Sequence, residues 1–250
     1  MNAKTKTRFI TVIGCGLAAL AIGAQAQQLS TKVDLPYVSK YVWRGTVANP
    51  DPAFQPSVTF THASGLSANL WASLDATEIN KEQGRATEID YTLNKAWQSG
   101  RLAMNAGVVN YTFPNTPLPA TSELYASACL GGKFSPSLSV NYDFDQADGF
   151  YASFTTGYAC TMPWKKSAPT TMNLSARLSY ASSNYNQYYF HAHENAFTDL
   201  LLSASFPLSA GKSWSITPAI NYSTVLDGAL RDGVTDPDNV FTSLTASYAF

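Results

Sequence analysis

Long stretches of the chain alternate between apolar and polar residues, most clearly between Thr171 and Ala181. One face of that stretch carries Met172, Leu174, Ala176, Leu178 and Tyr180, and the other carries Asn173, Ser175, Arg177 and Ser179. A β-strand points successive side chains to opposite faces, so this period predicts a strand with one apolar and one polar face. The same rhythm recurs in about a dozen segments, the last of which reaches Phe250.

The alternation predicts twelve antiparallel strands. Their predicted bounds are residues 31–45, 54–63, 65–76, 86–97, 101–113, 121–131, 136–145, 149–161, 171–181, 196–207, 213–225 and 239–250. Most are longer than the five or six residues of an average globular strand and have about the length of a tilted strand that crosses the hydrocarbon layer. We therefore predict an all-β fold, a transmembrane antiparallel up-and-down β-barrel, over a soluble sandwich that would bury its apolar faces.

The connections support the barrel and orient it. If both termini lie on the inner side, four inner turns are short: residues 64–65, 98–100, 132–135 and 208–212. The outer connections 45–53, 77–85, 114–120, 182–195 and 226–238 are longer, while 146–148 and 162–170 break the rule. Short periplasmic turns and long extracellular loops are typical of outer-membrane barrels.

Aromatic residues are predicted to form two girdles at the strand ends, as barrels place them at the membrane interfaces. The periplasmic set is Phe60, Trp97, Tyr158, Phe206, Trp214, Tyr248 and Phe250, and the outer set is Tyr41, Trp43, Phe144, Phe150, Tyr180 and Tyr222. A sandwich core gives no reason for aromatic residues to collect at strand ends.

Residues 1–26 have the features of a secretory signal peptide. Lys4, Lys6 and Arg8 precede a short apolar stretch, and residues 24–26 read Ala-Gln-Ala, a small-x-small cleavage site. A lipoprotein signal at Cys15 is disfavoured because the apolar run before it is only a few residues. The predicted organisation is a signal peptide over 1–26 and one barrel domain over 27–250, in which no run approaches 18 apolar residues.

The predicted lumen carries the charge. All 17 acidic but only 13 of the 16 basic residues follow residue 26, for a formal net charge of −4. Lys or Arg on a lipid face costs roughly 2–4 kcal/mol at mid-bilayer, so charged residues on strands should point inward. The predicted pore-lining residues are Lys40, Arg44, Asp75, Glu88, Asp90, Glu123, Asp143, Asp145 and Arg177. A narrow charged pore is favoured over a salt-bridged interior that packs the lumen shut, and Arg44 is expected to hold Glu88 or Asp90 bidentately.

Other candidate chemistry is weak. His62 and Ser64 could form a hydrolase pair, but they flank a periplasmic turn, the wrong end for lipid at the cell surface. His191 and His193 precede Glu194 in an outer loop and could hold a metal, yet no further ligand is identifiable. We therefore predict no catalytic residues, no metal and no cofactor.

Cys129 and Cys160 are the cysteines that follow the predicted signal peptide. They lie on strands separated by one other strand, so their Cα atoms should be near 10 Å apart, too far for a disulfide without a bulge. Alternation also points Cys129 inward and Cys160 outward. A disulfide is therefore the less favoured arrangement.

One ordered series of motifs resembles a known family. Residues 37–45 read Tyr-Val-Ser-Lys-Tyr-Val-Trp-Arg-Gly, which resembles the opening motif of the Gcw_chp family, the TorF-like porins of Gram-negative bacteria. The likeness continues through residues 55–56, 70–73, 88–91, 110–114 and 122–125 and covers most of 33–180. The resemblance implies a pore, and it supplies no established substrate and no catalytic residues.

The sequence thus predicts an outer-membrane, porin-like channel for passive diffusion of small polar solutes, with a weak preference for cations. The alternatives are a non-conducting scaffold barrel, which a filled lumen would favour, and a lipid-modifying enzyme, which a Ser–His pair at the outer leaflet would favour. The expected partners are outer-membrane lipid, small polar solutes and the barrel-assembly machinery, without nucleic acid. Tyr248 and Phe250 are the predicted assembly signal, because the last strand ends with its aromatic residues on one face.

Overall fold

The structure, a computed structural model, describes residues 29–162 and 170–250. The strands are β1 Leu29–Val38, β2 Tyr41–Trp43, β3 Thr46–Asn49, β4 Ala53–Phe54, β5 Ser57–His62, β6 Leu66–Asp75, β7 Ala86–Ser99, β8 Leu102–Thr112, β9 Thr121–Leu130, β10 Ser137–Asp143, β11 Gly149–Met162, β12 Thr170–Ala181, β13 Ala196–Ser205, β14 Leu208–Ala210, β15 Trp214–Val225 and β16 Asp238–Ala249. The helices are α1 Ser183–Phe190 and α2 Gly228–Asp232. Within the two described ranges, no helix has the length and apolar character needed to cross a membrane.

The strands form a closed antiparallel barrel. Apart from β2 and β3, which pair only with each other, the strands follow one another around the sheet in chain order. The sheet closes where β1 pairs with β16, with Tyr37 opposite Leu244. Strands β4 and β5 together occupy one position between β1 and β6, and the short β14 pairs beside β15 next to the end of β13. Counted in this way the barrel has twelve strands, which confirms the predicted fold.

The barrel is apolar outside and polar inside. On β12, for example, Leu174 points outward and is 40% exposed, whereas Ser179 points inward and is 1% exposed. The same alternation follows the other long strands, because the side-chain period of a strand is two residues. The exterior is therefore the apolar surface, and the polar faces enclose a lumen.

The two ends of the barrel differ. The terminal end, where β1 begins and β16 finishes, carries short turns such as residues 63–65 and 100–101. The loop end carries the long connections 39–52, 76–85, 113–120, 182–195 and 226–237 and both helices. The predicted distribution of short and long connections is confirmed, including the short exception at the loop end between β10 and β11.

The first strand is the main departure from the predicted bounds. It ends at Val38, and residues 41–49 form a separate two-stranded hairpin rather than a continuation to residue 45. The predicted strand 136–145 likewise ends at Asp143. The predicted signal peptide 1–26 and residues 163–169 of one inner connection lie outside the described residues and stay predictions.

A closed barrel should be heat-modifiable on gels. The long strands of the barrel wall are each paired on both sides, so detergent finds no free edge from which to fray the sheet. We expect the unboiled protein in SDS to migrate faster than the boiled protein, with one cooperative temperature of conversion. Identical migration of the two samples would contradict a closed barrel.

Candidate functional site

A hairpin folds into the lumen at the loop end. Strands β2 and β3 are joined by Arg44 and Gly45, whose φ angles of +48° and +89° give a two-residue turn with both central residues left-handed. This is the turn geometry that matches the twist of a β-hairpin. The Thr46 hydroxyl donates to the carbonyl of Trp43 at 2.7 Å and tightens the turn. We call residues 41–49 the hairpin plug.

The tip of the hairpin plug reaches the part of the barrel wall formed by β13 and β15. A Cβ atom added to Gly45 would lie 3.0 Å from Cβ of Asp199 on β13 and 3.3 Å from Cγ2 of Val225 on β15. At the other end of the hairpin, Asn49 Nδ2 donates to Asp75 on β6 at 2.8 Å. The hairpin plug therefore spans the lumen between β6 and the β13–β15 wall.

Arg44 holds the tip in place. Its Nη1 and Nη2 donate to the two carboxylate oxygens of Glu123 at 2.7 Å each, and Nη1 also donates to the Tyr185 hydroxyl at 3.0 Å. The guanidinium carbon lies 4.5 Å from the ring centroids of both Trp43 and Tyr151. The Arg44 side chain is 10% exposed and that of Glu123 is fully buried. We call these five residues the Arg44 cluster, which combines a bidentate ion pair with cation–π contacts.

Glu123 is coordinated from three sides. Besides Arg44, it accepts hydrogen bonds from the Tyr111 hydroxyl at 3.1 Å and from Asn141 Nδ2 at 3.0 Å. These donors lie on β8 and β10, the strands that flank Glu123 on β9. Because each carboxylate oxygen has donors, the buried charge is stabilised by its surroundings, and removal of one partner would leave an uncompensated charge.

A second ion pair lies beside the first. Arg177 Nη2 is 3.0 Å from Asp199 Oδ2, and Asp199 Oδ1 also accepts from the Tyr151 hydroxyl at 2.8 Å. Asp199 faces inward because the register between β12 and β13 shifts there, so that both Thr198 and Asp199 are buried. Such a bulge turns a side chain toward the interior that strict alternation would place outside. Tyr151 thereby joins the two ion pairs.

The two helices close the loop end over the hairpin plug. Tyr185 and Phe190 of α1 and Leu230 of α2 are fully buried in an apolar core that includes Val225. Asp227 caps α2 by accepting from the backbone N–H of Ala229 at 2.9 Å. This core belongs to the loops and the mouth of the barrel, where an open pore would instead expose polar walls to water.

Tyr189 ties α1 to the barrel wall. Its hydroxyl donates to Asp143 Oδ2 at 3.0 Å, and its ring packs on Trp43 with the centroids 5.1 Å apart. Burial raises the pKa of the Tyr189 phenol well above its ordinary value, so the hydroxyl stays a donor at all physiological pH values. The loop-end half of the lumen is thus filled by the hairpin plug, α1 and α2.

The terminal half of the lumen has a different wall. Many of its inward side chains are small, polar and only partly buried: Thr59, Asn69, Asn94, Ser127, Ser139, Asn173, Ser175, Ser203, Asn221, Ser243, Thr245 and Ser247. The larger Tyr125 also faces inward and donates to Asn94 at 2.9 Å. The charges on this wall include the adjacent pair Lys32 and Asp34, whose Nζ and Oδ1 atoms are 2.8 Å apart. We call this half the polar vestibule.

Several predicted pore-lining residues do face the lumen from the strands. Asp75, Glu88, Glu123 and Asp143 are buried, and Asp90 and Arg177 are partly buried. The Tyr41 hydroxyl lies near Glu88, whereas Asp90 Oδ1 has no hydrogen-bond partner among the described residues.

Three placements differ from the predictions. Lys40 and Arg44 lie on the loop-end connection, not on the first strand, and Lys40 Nζ donates to Asn239 at 2.8 Å. Asp145 lies in an exposed turn after β10. Arg44 pairs with Glu123 instead of Glu88 or Asp90, because the hairpin carries it across the lumen to β9.

The sequence did not indicate the placement of several residues in and around the Arg44 cluster. Tyr41 and Trp43, predicted for the outer girdle, lie in the hairpin, where Tyr41 packs on Trp71 and Trp43 on Tyr111. Asp199 was not predicted, although the consecutive polar residues Thr198 and Asp199 interrupt the alternation and signal a bulge.

The remaining candidate residues, the histidines and the cysteines, do not form a larger site within the described ranges. His62 Nδ1 and Ser64 Oγ are 2.9 Å apart within an exposed turn at the terminal end. Within the described ranges, no three His, Cys, Asp or Glu residues are placed to share a metal, and this includes the His191–Glu194 segment. Cys129 faces the lumen and contacts the Ser135 carbonyl, whereas Cys160 faces outward, and no disulfide joins them.

Comparisons with known proteins agree with the barrel. Residues 21–135 match the family model described as "Bacterial protein of unknown function (Gcw_chp)", which confirms the family resemblance over that part of the chain. The more specific TorF-like description stays a prediction. No curated protein matches the chain.

Three solved structures share the fold at low sequence identity. The KdgM porin has a TM-score of 0.53 at 10% identity, covering 88% of this chain and 99% of that one. The NanC porin has a TM-score of 0.52 at 11% identity, covering 87% and 98%. An outer membrane channel from Pseudomonas putida F1 has a TM-score of 0.51 at 10% identity, covering 89% and 95%. At these identities the likeness establishes the barrel architecture.

Proposed function

We propose that the protein is an outer-membrane channel for passive diffusion of small polar solutes, and that the hairpin plug must move before solutes pass. The observation that carries the proposal is the polar vestibule, a wall of Ser, Thr and Asn side chains that remain partly exposed. A barrel interior that only stabilised the fold would be filled along its whole length. A polar, hydrated interior is what diffusion channels use.

The membrane location has separate support. The exterior is an apolar band that includes Leu138, Leu174 and Leu244. Outward aromatic residues lie near both ends: Trp214 packs on Tyr248 at the terminal end, with ring centroids 4.8 Å apart, and Phe150 lies near the loop end. The fold is shared with porins and with an outer membrane channel, and one of these porins is described in complex with disordered oligogalacturonate. We infer that the terminal end faces the periplasm, because its turns are short.

The filled loop-end half supports a second candidate. A barrel whose mouth is permanently closed by the Arg44 cluster would act as a scaffold for a partner rather than as a channel. Planar-bilayer recording of the refolded protein separates the two functions. Brief, discrete openings would support the channel. If neither the parent nor a variant with a released hairpin plug conducts current, the scaffold function is supported.

The open channel is expected to prefer cations weakly. The inward carboxylates without a basic partner in the described structure are Asp75, Glu88, Asp90 and Asp143. A low-dielectric wall concentrates the field of these charges along the lumen, while physiological salt screens it beyond roughly 8 Å. Reversal potentials under a salt gradient should therefore show a cation preference.

Arg44→Ala should strengthen this preference, because it releases the negative charge of Glu123. Arg85→Ala is the matched control, since Arg85 pairs with Glu82 in an exposed loop. Anion selectivity in the parent would contradict the assigned lumen face. Equal selectivity of the Arg44 and Arg85 variants would contradict a role for Arg44 in setting it.

A further inference from the structure

An apolar groove crosses the exterior of the barrel over β11, β12, β13, β15 and β16. Its volume is about 650 Å³. The floor is low because the outward residues Ala176 and Ala204 have small side chains. Larger outward residues form the walls: Phe134, Tyr158, Leu174, Leu202, Ile220, Tyr222 and Val240.

The strand register gives the direction of the groove. Tyr158 lies opposite Leu174, Leu174 opposite Ala204, and Ala204 opposite Ile220. Tyr158 is near the terminal end of β11, whereas Val240 is near the loop end of β16. Five strands at a spacing of about 4.8 Å give a path of roughly 19 Å that rises diagonally from the terminal end.

A lysine stands at the lower end of this path. Lys133, in the turn between β9 and β10, places its Nζ 5.1 Å from the Tyr158 ring centroid and 5.5 Å from that of Phe134. Among the described residues, no carboxylate lies within 4.0 Å of this ammonium group. The lower end of the apolar groove therefore has a positive charge beside it, at the level where lipid headgroups begin.

We propose that the groove binds one glycerophospholipid of the periplasmic leaflet, with an acyl chain along its floor and the phosphate on Lys133. The inference rests on the membrane location proposed above and is independent of conduction. The apolar walls match an acyl chain, and the ammonium matches the phosphate as a charge-assisted hydrogen-bond donor. The two rings under Lys133 hold the ammonium beside the groove through cation–π contacts.

A second copy of the chain fits this groove less well. Two barrels side by side in one membrane are related by an axis along the membrane normal, which keeps equivalent residues at the same depth. Docking through the same groove would therefore bring the two Lys133 ammonium groups to one level, where they repel each other. A phospholipid neutralises this charge instead.

A second exterior groove provides an internal comparison. It has a volume of about 580 Å³ and is lined by Leu93, Ala126 and Val140 among others. Its lysine, Lys95, is already bound to the Ser64 carbonyl at 2.5 Å. The second groove thus has similar apolar walls, but its lysine is directed to the Ser64 turn, whereas Lys133 lies over the rings of Phe134 and Tyr158.

Native mass spectrometry of the delipidated protein, titrated with phosphatidylglycerol, tests the proposal. We expect the first lipid to bind about tenfold more tightly than later ones. Ala204→Leu, which fills the floor, should abolish this difference, and Ala126→Leu, which fills the second groove, should leave it unchanged. Lys133→Ala should weaken the first phosphatidylglycerol about fivefold without changing the binding of diacylglycerol, which has no phosphate.

Three other outcomes would contradict the lipid site, the identity of its occupant or the membrane location. If the parent, Ala204→Leu and Ala126→Leu bind lipid equally, the lipid surrounds the barrel without a specific site in the groove. A dimer that is lost in Ala204→Leu would identify a second copy as the occupant. Heat-modifiability confirms that each variant is folded. A parent that forms a barrel but fails to insert into vesicles contradicts the proposed location, whereas insertion without a tight first lipid contradicts the groove alone.

Discussion

Gly45→Val is expected to raise the open probability of the channel about 30-fold. The residue sits at φ +89°, a conformation that a β-branched side chain avoids, and its Cβ would lie 3.0 Å from Asp199. Backbone strain of this kind costs about 1–3 kcal/mol, and 2 kcal/mol corresponds to roughly a 30-fold shift between two states. The docked hairpin bears the whole strain, whereas a released hairpin can relax. Single-channel recording measures the change directly.

Gly84→Val is the matched control for this experiment. Gly84 also has a positive φ, +73°, and lies in a loop-end connection, but a Cβ there would meet nothing within 4 Å. It therefore imposes a similar backbone penalty without touching the hairpin plug, and its conductance should equal that of the parent. If both variants form heat-modifiable barrels and conduct as the parent does, the hairpin plug is not the barrier. If neither variant conducts, the scaffold function is favoured.

Loss of the ion pair should release the hairpin plug by a different route. Glu123→Ala leaves the guanidinium of Arg44 in a nearly dry site without its carboxylate, and breaking a buried pair costs about 3–5 kcal/mol. Arg44→Ala combined with Glu123→Ala removes both charges of this pair and should be less destabilising than Glu123→Ala alone. If Gly45→Val and Glu123→Ala both raise the open probability of the channel, movement of the hairpin is the common cause.

The barrel could be predicted from the sequence because its information is local and periodic. Strands such as β12 alternate over ten or more residues, so the face of each side chain follows from its position. The hairpin was not predicted because residues 41–43 read Tyr-Val-Trp, a β-prone run that looks like a continuation of β1. The available signal was Arg44-Gly45 before Thr46 and Val47, a glycine-containing pair between two short β-prone runs.

The pairing of Arg44 could not be predicted in the same way. Glu88, Asp90 and Glu123 all face the lumen, and alternation alone does not distinguish among them. The choice depends on how far the hairpin reaches across the barrel and on the stagger of the strands, which are properties of the closed sheet. Asp199 illustrates the same limit, since a one-residue bulge decides which way it points.

Removal of Phe250 is expected to lower the amount of assembled barrel in the outer membrane at least fivefold. Phe250 is 67% exposed on the exterior and packs on Tyr248 with ring centroids 4.6 Å apart. Its backbone N–H also donates to the Thr31 carbonyl at 2.9 Å, across the seam between β16 and β1. An exposed aromatic residue at this position is available for recognition during assembly. Heat-modifiability of outer-membrane fractions measures the assembled amount.

Two comparisons separate recognition of Phe250 from its contribution to stability. Loss of the seam hydrogen bond should cost only about 1 kcal/mol, so the truncated chain should still refold in detergent with nearly the parental melting temperature. Phe154→Ala is the matched control, because Phe154 is also outward and exposed but lies within β11. A truncated chain that refolds well in vitro but fails to accumulate, while Phe154→Ala accumulates normally, would mean that the terminal ring is read by the assembly machinery. Normal accumulation of a chain ending at Ala249 would contradict that role.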